Sequence, residues 1–319
     1  MRVVPGTCQT RVRHHNESGN LTAMQSHPPA WLRWAPALFV FLWSTGFVGS
    51  RLGKPFAEPL TFLSWRYLAV VAILLVVVVA TRSPWPRSGR DALHAALAGL
   101  LVHGCYLGGV FSAISHGVSL AAISLIVGMQ PVLTAMAAGP VLGERLAARQ
   151  WIGVALGFAG VLLVVAGQWN GVSGGATGYA WGVLALAGIT VGTLYQKKFC
   201  GAIPMLAGGV VQYTAAGAAT FALALATETG AVQWTPQFAF ALGWLVLVLS
   251  LGAIGLLYTM IRHGEASRVS SLFFLTPPVT AVMAYLLFGE RLPLLALAGL
   301  GLSATGVALV SRGARMARP

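Results

Sequence analysis

Apolar residues in this chain gather into ten long blocks, at 33–50, 59–80, 93–114, 119–141, 149–167, 177–196, 206–226, 239–261, 268–288 and 293–311. Polar residues are confined to the short stretches between them. A helix needs about 20 mostly apolar residues to cross a bilayer, and each block is close to that length. Strict alternation, the mark of a membrane β-barrel, is absent. The pattern predicts an all-α integral membrane protein with ten transmembrane helices and short connections. Residues 1–32 are polar and contain no apolar run, so they read as a disordered cytoplasmic tail rather than a signal peptide, with Met24 an alternative start.

The blocks also repeat. A shift of 146 residues lays Gly143-Glu144-Arg145-Leu146 on Gly289-Glu290-Arg291-Leu292, Pro131 on Pro277, Gly153 on Gly299 and Gly160 on Gly306. Of the 37 positions from 131 to 167, 15 are identical to their counterparts without a gap. The same offset pairs Arg51 with Lys197 and Tyr67 with Tyr213. Each copy holds five blocks, an odd number, so the second copy enters the membrane from the opposite side. The expected architecture is therefore two inverted five-helix repeats, 33–167 and 177–313, joined by a Gly-rich outside loop at 168–176 and followed by a basic cytoplasmic tail at 314–319. Inverted repeats belong to alternating-access carriers, whose substrate site lies near the midplane between the halves.

Charge sharpens the orientation. Only 8% of the 319 residues are charged, against about a quarter in a soluble domain. There are 20 Lys+Arg and 7 Asp+Glu. With both ends placed inside, sixteen of the cations fall in cytoplasmic segments, three in outside loops and one, Arg66, within a block. That split is the positive-inside signature. It predicts a multi-pass protein of a cytoplasmic (inner) membrane with both termini cytoplasmic, and the scattering of the cations removes a nucleic-acid partner. The three cysteines, Cys8, Cys105 and Cys200, imply neither a disulfide framework nor a metal site. No nucleotide-binding P-loop occurs and no cofactor is expected. The partners anticipated are the bilayer and a small-molecule substrate, with the protein a monomer or weak homodimer.

Ten spans in five-plus-five repeats, a proline in the fourth and ninth blocks, and Gly-Glu-Arg-Leu closing both of them resemble the EamA-type branch of the drug/metabolite transporter superfamily. The resemblance covers about 33–313. It implies a carrier of small metabolites, often an exporter of amino acids or related compounds, with a central cavity lined by helices 1, 3, 4, 6, 8 and 9.

Several residues are candidates for that cavity. Pro131 and Pro277-Pro278 interrupt helices at matched places, which points to a carrier's binding site. Gln130 and Thr276 adjoin them, and a packing kink is the competing account. His103 lies near the centre of the third block, where an ionisable group is a functional hypothesis by default. It is a proton relay, a polar ligand contact, or a structural imidazole. Arg66 snorkels to the outer interface or pairs structurally, or it attracts an anionic or zwitterionic substrate. Trp43-Ser44-Thr45 in the first block, Tyr106 in the third, Thr190 and Tyr195 in the sixth and Tyr258 in the eighth add aromatic and hydroxyl groups. The Gly143-Glu144-Arg145 and Gly289-Glu290-Arg291 motifs read as structural or gating elements, each acid placed before the helix that follows it.

Three rival functions have weaker support. Gly171-Val172-Ser173-Gly174-Gly175 matches a serine-hydrolase elbow but sits in a Gly-rich loop rather than a strand-to-helix turn. A proton-coupled multidrug efflux carrier for cationic drugs wants an acid inside the membrane, and all seven acids fall at ends or in loops. A non-transporting membrane scaffold has no need of the repeat.

Overall fold

The computed structural model describes residues 34–142, 148–169, 174–256, 260, 272–291 and 293–316. These residues are helical throughout, apart from short connections and one isolated antiparallel bridge between Ala57 and Val232. In chain order the helices are α1 (Ala35–Gly53), α2 (Pro59–Thr81), α3 (Gly89–Ser115), α4 (Leu120–Gly128), α5 (Gln130–Leu142), α6 (Ala148–Trp169), α7 (Gly175–Phe199), α8 (Met205–Thr227), α9 (Pro236–Leu256), α10 (Thr276–Phe288) and α11 (Leu294–Met316). Six of them, α1, α2, α3, α7, α8 and α9, are long and apolar enough to cross a membrane. Four shorter apolar stretches, Leu120–Thr134, Trp151–Leu163, Thr276–Phe288 and Leu294–Gly306, fall on the remaining blocks.

Local chemistry sets the boundaries. Ser88, Ser119 and Thr235 precede α3, α4 and α9, and their hydroxyls accept from the backbone amides of Asp91, Ala122 and Phe238 at 3.1–3.2 Å. Such caps satisfy amides that the first helical turn leaves unpaired. Proline occupies the first turn of α1, α2, α9 and α10, where its missing N–H costs nothing. Gly289 ends α10 in the left-handed region, φ 65°.

Two placements differ from the sequence reading. The fourth block is not one rod: the helix stops at Gly128 and restarts at Gln130, so Pro131 stands in the first turn of α5 rather than mid-helix. Pro277 and Pro278 likewise stand in the first turn of α10, which follows a tight 3-10 turn at Phe273–Leu275. The interruptions abut, since a Cβ on Gly128 would meet the Pro277 ring at 2.9 Å. Helices α3 and α9 each contain wider π-helical turns, at Leu100–Leu107 and Trp244–Ala253. At the 146-residue offset the first of these maps inside the second.

The bundle is apolar outside as well as inside. Leu68, Val76, Val79, Leu162, Leu225 and Leu286 are exposed, as residues facing acyl chains are. Inside, Phe62 packs on Phe111 and Phe238 with centroids 5.3 and 5.0 Å apart. Small residues bring α6 and α11 together, where a lipid-embedded interface gains from close backbone approach. A Cβ on Gly160 would collide with Gly299 and Ser303, and one on Gly306 would collide with Gly153 and Gly157. The Ser303 hydroxyl donates to the Gly157 carbonyl at 3.0 Å.

Helices α2 and α8 are clasped at one end by two acids. Glu228, just after α8, accepts from the Leu60 and Thr61 amides and the Thr61 hydroxyl at 2.7–2.8 Å. Glu58, just before α2, accepts from the amide and hydroxyl of Thr229 at 2.7 Å.

Candidate functional site

The site builds from α2 and α3. Position 66 of α2 turns inward, and the Arg66 side chain is only 3% exposed. Its Nε and Nη2 donate to the Ser250 hydroxyl on α9 at 3.3 and 3.0 Å. The snorkelling expectation is therefore corrected: a guanidinium at the interface would be open to water, and this one ends inside the bundle. Among the described residues no carboxylate lies within ion-pair distance of it, and the one ion pair joins Arg51 to Glu290.

His103 and Tyr106 sit on the wide-turned part of α3, and both are buried. The extra residue in a π-helical turn re-aims side chains, and such turns recur at functional sites. The His103 ring stacks on Tyr213 of α8, with centroids 3.9 Å apart and planes 18° from parallel. The Tyr67 hydroxyl donates to the His103 carbonyl at 2.7 Å. The His103 Nδ1 atom is buried with no hydrogen-bond partner. An unpaired polar atom in the interior is costly, so its presence beside a cavity marks a place where a ligand group or water belongs.

These groups enclose a cavity of about 90 Å³, lined among others by Trp43, Ser50, Arg66, His103, Tyr106 and Tyr213. A water molecule takes roughly 30 Å³ of liquid, so the space holds about three waters. A carboxylate or ammonium group fits there, while a whole metabolite requires the helices to part.

Of the sequence candidates, Trp43, Arg66, His103 and Tyr106 meet at this cavity. Others lie elsewhere. Thr45 donates to the Leu42 carbonyl and accepts from the Trp244 indole at 2.6 and 2.8 Å. Ser44 reaches the Thr276 carbonyl at 3.4 Å, and the Thr276 hydroxyl is buried without a partner. Gln130 donates to Thr193 at 3.1 Å. Thr190 returns its proton to the Leu186 carbonyl. Tyr195 does not line this cavity: it meets His94 at 2.7 Å and packs on Phe199, toward the end of α7 that carries Lys197 and Lys198. Tyr258, Gly143, Glu144, Arg145 and Ser173 lie outside the described residues.

Among the described residues, Glu290 serves α4 rather than the helix that follows it. One carboxylate oxygen accepts from the Leu120 amide, at the start of α4, at 3.1 Å, and the other lies 3.7 Å from Arg51. Burial pushes its carboxyl above the ordinary glutamate range, opposed by the Leu120 amide and Arg51. Lys54 also braces this region, donating to the Ile114 carbonyl at 3.0 Å. Its ammonium titrates below the usual lysine value, from burial first and then from neighbouring Arg51. Arg291 is exposed.

Sequence reasoning missed Ser250, Ser50 and the cavity role of Tyr213. Tyr213 carried a signal, because it is the repeat counterpart of Tyr67; the two serines carried none.

A bundle of apolar helices around a small, mostly apolar pocket with a buried cation defines a multi-pass integral membrane protein of the transporter class. The model of the EamA-like transporter family matches residues 31–166 and again 176–312, and the chain belongs to that family. It is 30% identical over 281 residues to the uncharacterized transporter YvbV of Bacillus subtilis (strain 168), spanning 86% of this chain and 90% of that protein. It is 26% identical over 286 residues to the "Probable amino-acid metabolite efflux pump" of Escherichia coli (strain K12), spanning 85% and 91%. A solved crystal structure has the same fold, with a TM-score of 0.61, 18% identity, and coverage of 90% of this chain and 99% of that one.

Proposed function

We propose that the chain is a secondary carrier that exports a small amino-acid-like metabolite, zwitterionic or neutral, across a cytoplasmic membrane by alternating access. Its ten helices act as two inverted five-helix repeats, with both termini cytoplasmic. The observation that carries the reading is the cavity between the halves, where Arg66 and His103 from the first meet Tyr213 from the second. Alternating access puts the substrate there, because rocking one half against the other exposes the same site to each side in turn. The export direction leans on the efflux function named for the Escherichia coli relative, and the orientation on the cation split.

A proton-coupled multidrug carrier is the alternative. It is disfavoured because the charged group at the cavity is a cation and would repel a cationic drug.

The test is counterflow in proteoliposomes over amino acids, nucleosides and sugars, with and without a pH gradient. The expected result is saturable exchange of one or more amino acids or close derivatives. Folded protein that exchanges nothing in that panel would overturn the carrier reading.

A further inference from the structure

We propose that Arg66 is the carboxylate anchor of this site, so that the carrier selects substrates by a free carboxylate group; the inference rests on the carrier reading for its physiological meaning.

A guanidinium cannot shed its proton in a protein, so Arg66 is a permanent cation that is 3% exposed between membrane helices. Burial of a charge is costly unless it is paired. Among the described residues its side-chain acceptor is the hydroxyl of Ser250, which is neutral. The four acids among the described residues are spoken for or remote. Glu58 and Glu228 form the α2–α8 clasp, Glu290 holds Leu120 and Arg51, and Asp91 opens α3. Among the described residues Arg66 therefore has no counter-ion, and an anion from outside the chain would supply one.

Geometry then narrows what that anion is. Ser250 takes Nε and Nη2 and leaves the guanidinium the rest of its five donors. The cavity it lines holds about three waters' volume, which suits a planar carboxylate group rather than a whole metabolite. The walls are aromatic, with Trp43, Tyr106 and Tyr213 beside it, and they offer an apolar side chain a surface to lie against. His103 Nδ1, buried and unpartnered, supplies a second polar contact to the substrate. The repeat offset adds a further point. The counterpart of Arg66 is Gln212, so the second half does not duplicate the cation. The site is asymmetric, as a single bound carboxylate requires.

The experiment uses the purified full chain in detergent and reads melting temperature with and without ligand. The probes are L-alanine and L-leucine, their carboxamides, and the corresponding amines without a carboxyl group. The variants are Arg66→Gln and Arg66→Lys. The amino acids are expected to raise the melting temperature of the wild type, and the carboxamides and amines to leave it unchanged. R66Q is expected to melt at or above the unliganded wild type, since an uncompensated buried charge has gone. Its affinity for the amino acids is expected to fall about 10- to 100-fold, the worth of a hydrogen bond to a charged group. R66K keeps the charge but not the fork, and falls in between.

Four results would overturn the anchor: no amino acid shifts the wild type, the carboxamides shift it equally, R66Q keeps wild-type affinity, or both variants melt lower or fail to fold, which marks a structural arginine. Binding that behaves as expected without counterflow would sink the carrier reading and leave the anchor standing.

Discussion

Tyr67 and Tyr213, equivalent residues of the two repeats, lie ring against ring with centroids 5.7 Å apart. Gly157 and Ser303 stand at the same 146-residue offset and are joined by a hydrogen bond of 3.0 Å. A residue meets its own counterpart only close to a two-fold axis, where contacts are reciprocal. The reciprocity is visible between α6 and α11: Gly160 abuts Gly299, and their counterparts Gly306 and Gly153 abut each other. That is the pattern the proposed inverted repeat requires.

The first prediction follows from that interface. Gly160→Ala and Gly306→Ala each force a Cβ into facing backbone, and overpacking costs about 1–3 kcal/mol. Both are expected to lower the melting temperature of the detergent-solubilised protein by similar amounts. Gly301→Ala, on the same α11 with nothing within 4 Å, is the control. It is expected to be neutral or stabilising, because alanine is the better helix former by about 1 kcal/mol. A Gly301 variant that falls as far as the other two would remove the interface explanation.

The α2–α8 clasp gives a pH dependence. The hydroxyl and amide of Thr229 hold Glu58 below the ordinary carboxylate range. A carboxyl whose folded pKa is depressed contributes stability above its unfolded value of about 4.3 and loses it as pH falls through the folded pKa. Glu58→Gln is therefore expected to melt lower than the wild type near neutral pH and to converge with it well below about pH 4. The gap is small, because the group is exposed and screened. A gap that widens on acidification would contradict the assignment.

How far the sequence reached differs by feature. The positions of the six candidate spans and of the shorter apolar helices followed from apolar runs alone. Ends were off by a few residues, as at α9, which starts at Pro236 rather than 239. The break at Met129 was misplaced because proline marks the first turn of the restarted helix rather than the point of interruption. Residues of the candidate cavity were legible where chemistry was conspicuous, as for Arg66 and His103. Ser250 was not, since a lone serine in an apolar run has many uses. Tyr195 misled because an aromatic beside loose glycines gives no depth coordinate, and its true neighbours His94 and Phe199 lie at the helix end.

Glu290 ties the loop after α10 to the start of α4, and its two contacts are unequal. The Leu120 amide is within a normal hydrogen bond at 3.1 Å, while Arg51 stands 3.7 Å away and half-buried. Loss of a helix cap costs about 0.5–2 kcal/mol, and a partly exposed ion pair about 0–1 kcal/mol. Glu290→Ala is expected to lower the melting temperature clearly, Arg51→Gln little, and Glu290→Gln only as much as Arg51→Gln, since the amide oxygen still accepts from Leu120. If the stretch acts as a gate, E290A also changes the rate of exchange in proteoliposomes more than the apparent affinity. Equal losses in E290A and R51Q would show the ion pair, rather than the cap, to be the fastening.

His103 decides between a proton relay and a ligand contact. A relay needs a partner to receive the proton, and among the described residues no acid lies within ion-pair distance of the ring. The ring is fixed instead by its stack on Tyr213 and by the Tyr67 hydroxyl on its carbonyl, with Nδ1 left for the substrate. His103→Asn is expected to raise KM for counterflow several-fold, through loss of one hydrogen bond of about 0.5–1.5 kcal/mol. The shape of the pH profile is expected to persist. His103→Ala adds the loss of the stacked ring, worth about 0.5–1.5 kcal/mol, and is expected to melt lower than His103→Asn only if asparagine retains packing against Tyr213. A pH profile flattened by His103→Asn, with the maximal rate lost and KM unchanged, would identify the relay instead.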